Sequence, residues 1–106
     1  MSQTLKAGEH KLLFTQQVNK QIAEDSKFAK FVWESLIRFN QGDWGNVSEE
    51  SSEQNDADLE SLNNGGWYGR ILAVYQTPDT DRIWIIRNTA EEDGTQAVTV
   101  LFPSEY

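Results

Sequence analysis

The hydrophobic pattern changes period partway along the chain, and that change limits the folds open to it. Between Ser26 and Phe39, the residues Phe28, Phe31, Val32, Leu36 and Phe39 recur at spacings of three and four. They share one face of an α-helix, and Ala29, Trp33 and Ile37 widen that face. From Tyr68 onward the pattern is that of strands. Tyr68 to Tyr75, Arg82 to Arg87 and Ala97 to Phe102 are rich in β-branched and aromatic residues. Thr77-Pro78-Asp79 and Asp93-Gly94 mark turns between them. Ile83-Trp84-Ile85-Ile86 is apolar on both faces, as suits the middle strand of a sheet. So broad a helical stripe calls for a sheet to cover. The expected fold is α+β: an N-terminal strand, two or three helices, then a three-stranded antiparallel β-meander packed on the main helix. A chain of 106 residues has room for one such domain, spanning 1–106.

Finer expectations follow from caps and turns. Lys11 to Thr15 reads as the first strand, with Leu13 facing away from Leu12 and Phe14. Asn19 is expected to cap a short helix containing Ile22 and Ala23, and Ser26 to cap the main one, with Glu24 and Asp25 near its positive end. Asn40 and Gly42 stop that helix. Ser48 is expected to cap a third helix, Glu49 to Leu62, ended by Asn63-Asn64-Gly65-Gly66. Its apolar content is only Ala57, Leu59 and Leu62, so 43–64 is an acidic helix or loop held by one edge. Trp33 and Trp84 are expected in the core.

Charge is the second constraint. There are 9 Lys/Arg against 17 Asp/Glu, a net charge of −8. Residues 39–69 hold Asp43, Glu49, Glu50, Glu53, Asp56, Asp58 and Glu60 with no basic residue among them. Such a balance disfavours direct binding to nucleic acid, whose phosphates demand Lys and Arg. There is no Cys and one His, His10, which removes thiolate chemistry and leaves little for a zinc site or a serine triad. No metal and no cofactor is expected. No apolar run is long enough to span a bilayer and the first ten residues are polar, so the expected compartment is the cytoplasm, with no membrane partner.

Five groups of residues could carry function. Glu49, Glu53, Asp56 and Glu60 are spaced by 4, 3 and 4. On a helix they fall within roughly 60° of one another. Such a row resembles a line of phosphates, although the same row also serves plain solubility. Glu34 beside Trp33 is the one carboxylate with an apolar neighbour that could raise its pKa for acid–base work. Asp56-x-Asp58-x-Glu60 alternates acids but lacks the glycine and distal glutamate of a calcium loop. Arg70, Arg82 and Arg87 could align across strands to hold a phosphate, or pair with surface acids. Trp44 and Trp67 bracket the acidic segment, either as binding anchors or as pins for the loop ends.

Several segments together resemble a family of small uncharacterised proteins of bacterial plasmids, phages and integrated elements. They are Phe28-Ala29-Lys30-Phe31-Val32, Gly42-Asp43-Trp44-Gly45, the acidic stretch with Asn55 and Leu59, Arg70 to Tyr75, Ile83 to Ile86, and the ending Thr99-Val100-Leu101-Phe102-Pro103-Ser104-Glu105-Tyr106. The likeness covers most of residues 14–106. Members usually follow the Trp-Ile-Ile strand with a short turn containing Asp and Arg, whereas Arg87 to Gly94 is longer and more acidic here. The resemblance carries no catalytic residue. It implies a mobile-element setting, in which small acidic proteins often block restriction or CRISPR enzymes.

The function expected is therefore a non-enzymatic acidic binding protein, an anti-CRISPR or anti-restriction inhibitor that acts as a DNA mimic. Its face would comprise Asp43, Trp44, Glu49, Glu50, Glu53, Asp56, Asp58 and Glu60, set against the basic groove of a host nucleic-acid-binding protein. The alternatives are a small toxin-like nuclease using Arg70, Arg82 or Arg87, and an accessory homo-oligomeric subunit. The inhibitor itself would be a monomer or a small homo-oligomer.

Overall fold

A computed structural model describes residues 10–63, 70–89 and 96–106. Trp67, Tyr68, Asp93-Gly94 and the glycines after Asn63 lie outside the described residues, as do the side chains of His10 and Leu62. The chain is α+β. The strand β1 (His10–Phe14) leads into the helices α1 (Gln16–Glu24), α2 (Ser26–Asn40) and α3 (Glu49–Asn63). Three strands follow, β2 (Arg70–Tyr75), β3 (Ile83–Thr89) and β4 (Gln96–Leu101), and a 3-10 turn at Pro103–Glu105.

The sheet order is β1-β4-β3-β2. The antiparallel meander is present, with Ala73 opposite Ile85 and Ile85 opposite Val100. It is only part of a mixed sheet, because β1 joins β4 in parallel, Phe14 opposite Val100. Alternation puts Ile71, Ala73, Tyr75, Ile83, Ile85, Val98 and Val100 on one face. That face meets Phe28, Phe31, Val32, Leu36 and Phe39 of α2 in the core, as the spacing of the stripe requires. The widened part of the stripe does not follow. Trp33 is 64% exposed, because six other residues of α2 suffice to cover the sheet. Trp84 is half-buried on the opposite face, edge-on to Tyr106 at 5.4 Å.

Two caps differ from expectation. Asp25, not Ser26, caps α2: its Oδ1 accepts from the backbone N–H groups of Lys27 and Phe28. A carboxylate at the positive end of a helix outcompetes a hydroxyl by adding charge. α1 begins at Gln16, ahead of Asn19, with Thr15 at its N-cap position. The acceptor for its free N–H groups comes from the other end of the chain. Glu105 accepts from the Gln17 N–H and from the Thr15 hydroxyl, at 2.6 Å, and from the Phe102 N–H. Ser48 does cap α3, its hydroxyl accepting from the Ser51 N–H.

The Glu105 bonds make a pH prediction. Partial burial pushes its carboxyl upward, but the Thr15, Phe102 and Gln17 donors outweigh it and hold the pKa below the usual range. A depressed carboxyl stabilises the fold above its unfolded pKa of about 4.3, and that contribution is lost as pH falls through the folded value. Glu105→Gln is expected to melt below the parent at neutral pH, with the gap closing below about pH 4. Thermal unfolding from neutral pH downward checks this; a gap that stays constant refutes it.

Candidate functional site

The acidic helix is fastened along the outer edge of β2. That edge would otherwise display unpaired backbone groups, a template for aggregation. Here it is closed residue by residue. The Asn55 amide donates to the Leu72 carbonyl at 2.8 Å and accepts from the Leu72 N–H. The Val74 N–H donates to the Trp44 carbonyl, and the Asn46 N–H to the Val74 carbonyl at 2.6 Å. The Asn46 side chain accepts from the Gln76 N–H. Leu59 is buried in the core beside this edge. An Asn at the buried position of a helix, ahead of a buried Leu, is the signal by which Asn55 could have been singled out.

Gly42-Asp43-Trp44-Gly45 shapes the entry to α3. Gly42 and Gly45 have φ of +80° and +73°, which L side chains avoid. Asp43 grips Arg38 with both oxygens, at 2.7 and 3.2 Å, and accepts from the Gly45 N–H. The Arg38 bond is the main reason its carboxyl sits below the usual range, with the Gly45 donor adding to it. The Tyr75 hydroxyl donates to the Asp43 carbonyl at 2.7 Å, while the Arg38 guanidinium lies 5.1 Å from the centre of its ring. Burial raises the Tyr75 pKa, which keeps the phenol a neutral donor.

These contacts redraw the expected binding face. Trp44 is 3% exposed and stacks edge-on against Phe39, so its ring belongs to the core and offers no anchor to a partner. Its indole N–H donates to Asp56 at 2.8 Å, which ties that carboxylate to the fold. Asp43 is likewise committed to Arg38. Asp58 is partly covered and accepts from Gln54. Glu49, Glu50, Glu53 and Glu60 are exposed, and no cation forms an ion pair with them among the described residues. Glu49, Glu53, Asp56 and Glu60 lie along one flank of α3, as their spacing demands, and the helix holds them in line.

The other groups stay apart. Glu34 is exposed and faces Lys30 at 3.9 Å. Asp56, Asp58 and Glu60 do not converge: among the described residues no three His, Asp or Glu side chains are placed to hold a metal ion. Arg70 and Arg82 stand at opposite ends of the β2–β3 ladder, about 20 Å apart along it. Arg87 pairs with Ile71, one position along from Arg70, and so points to the opposite face. Arg82 donates to Gln76, and Arg70 lies over the Tyr106 ring. Arg87 is 2% exposed, its Nε and Nη1 have no hydrogen-bond partner among the described residues, and burial lowers its pKa. Three arginines so placed cannot grip one phosphate. No helix among the described residues is long and apolar enough to cross a membrane. No family model matches the chain, and neither a curated protein nor a solved structure does.

Proposed function

We propose that the protein is an acidic inhibitor that offers the exposed flank of α3 to the Lys/Arg groove of a nucleic-acid-handling defence enzyme. The observation that carries this reading is the display of Glu49, Glu50, Glu53 and Glu60, ordered on a helix and without a cation against them among the described residues. Charge density decides whether such a helix can imitate a nucleic acid. Four carboxylates, Glu49, Glu53, Asp56 and Glu60, share that flank over the twelve residues from Glu49 to Glu60, or about 17 Å. That is one charge per ~4 Å, close to the one phosphate per ~3.4 Å along a DNA strand. Opposite charge then speeds encounter and makes binding sensitive to salt.

The test uses acids that hold no structural bond. Cells with an active restriction or CRISPR system are challenged with a targeted plasmid. The protein is expected to raise transformation by about tenfold or more, and Glu49→Lys/Glu50→Lys/Glu53→Lys/Glu60→Lys to return it to the baseline. Equal protection by the reversed variant, provided it folds, rejects the electrostatic reading. No protection by the parent across a panel of defence systems rejects the inhibitor itself.

A second reading rests on β1. Its outer edge has no strand beside it among the described residues, and Leu12, Leu13 and Phe14 are 49, 47 and 37% exposed. Open apolar edges invite another strand. An accessory subunit that self-associates there would show a mass that rises with concentration in light scattering. A constant monomer mass removes it.

A further inference from the structure

The face of the sheet turned away from α2 carries a groove that the acidic flank does not use. Alternation and register put Arg70, Leu72 and Trp84 together on this face. Ser51 and Gln54 form one wall from α3, and Tyr106 forms the other. The hollow is about 360 Å³, within the range of small-molecule sites. Around the helix, Ser51 and Gln54 lie roughly opposite Glu49, Glu53 and Glu60, so the stripe of acids turns away from the groove. Arg70 is the one charged residue among those lining it.

We propose that this groove binds a planar ring carrying a phosphate, the chemistry of a nucleoside monophosphate. Three features carry the assignment. Trp84 and Tyr106 meet edge to face, which leaves aromatic surface for a ring to lie against. Arg70 is held in place, with its guanidinium 5.0 Å from the Tyr106 ring centre and Nη2 against the Tyr106 hydroxyl. A guanidinium has five donors in a fixed fork, so most remain for an anion, and ordering it beforehand lowers the cost of binding. Gln54 gives one N–H to Asp58 and keeps its amide oxygen for the edge of a base. The site needs neither a partner protein nor the acidic stripe, so it stands or falls apart from the inhibitor reading.

The full chain is titrated with AMP, GMP, CMP and UMP while the Trp84 indole resonance is followed by NMR. At least one nucleotide is expected to saturate with a Kd below about 1 mM. The matching nucleoside, and inorganic phosphate alone, are expected to bind about tenfold more weakly or not at all. Arg70→Gln removes the preference for the phosphorylated form. Arg82→Gln, at the far end of the ladder, leaves it unchanged. Dispersed spectra establish that both variants are folded. Three results overturn the proposal: no Trp84 shift with any nucleotide up to about 10 mM, equal affinity for nucleoside and nucleotide, or phosphate binding as tightly as the nucleotide.

Discussion

Gly45→Ala is expected to cost about 3 kcal/mol or more of folding stability, a loss that a domain of this size barely survives. A Cβ at this position would lie 2.1 Å from the Val74 carbonyl oxygen and 2.7 Å from the Tyr75 ring. Neither neighbour can yield. The carbonyl belongs to β2 and accepts from the Asn46 N–H, and Tyr75 is fully buried with its hydroxyl on Asp43. Moving the loop instead would break both backbone bonds to Val74 and pull Trp44 from Phe39 and Asp56. Gly42→Ala provides the comparison. Gly42 shares the positive φ, but no such close approach accompanies it among the described residues, so the expected cost is the backbone strain of about 1–2 kcal/mol. Urea unfolding of the two variants measures the difference. Equal losses would mean that the approach of Gly45 to β2 is not limiting.

Arg87→Met is expected to move stability the other way, by about 1–3 kcal/mol in favour of the fold. Most large buried side chains lose stability when replaced, because a cavity remains. Arg87 differs in what its burial costs. It sits on the core face of β3 between Ile71 and Val98, with Nε and Nη1 unbonded among the described residues. A guanidinium so placed loses its hydration and regains little. Methionine keeps much of the length and removes the charge. Arginine stays charged in the unfolded chain at any working pH, so the penalty is present throughout that range and the gain should not vary with pH. Urea midpoints at two pH values give the sign and its constancy. A loss of stability on substitution would show that the guanidinium has a compensating partner.

The pattern of side chains along the chain was enough for several elements. The three- and four-residue spacing in α2 predicts its buried face, because a helix turns the same way wherever it sits. The apolar run at 83–86 predicts a central strand for the same local reason. Ser48 and the turn at Thr77-Pro78-Asp79 mark ends that depend on neighbours one to three positions away. The tryptophans show where this reasoning stops. Trp33 continues an apolar stripe, yet lies outside it, since the width of the sheet sets how much of the helix is covered. Trp44 sits in a polar loop, yet is buried, because Asp56 supplies a partner for its indole N–H.

For the candidate site, spacing predicted that Glu49, Glu53, Asp56 and Glu60 share a flank of one helix. It could not show that Asp56 and Asp43 are already engaged, or that Arg70 and Arg87 face opposite ways. Those facts arise from contacts between distant segments. Glu105 caps a helix 88 positions away, and Asn55 closes the edge of a strand 17 positions on. By itself, the amino-acid order determined helix and strand periods, turn positions and the uneven charge, all properties set by neighbours within a few residues. The tertiary structure decided that β1 runs parallel to β4, which edge of the sheet is closed, and which carboxylates remain free. Backbone hydrogen bonds are alike at every residue, so only the packing of the whole chain selects the partner of each.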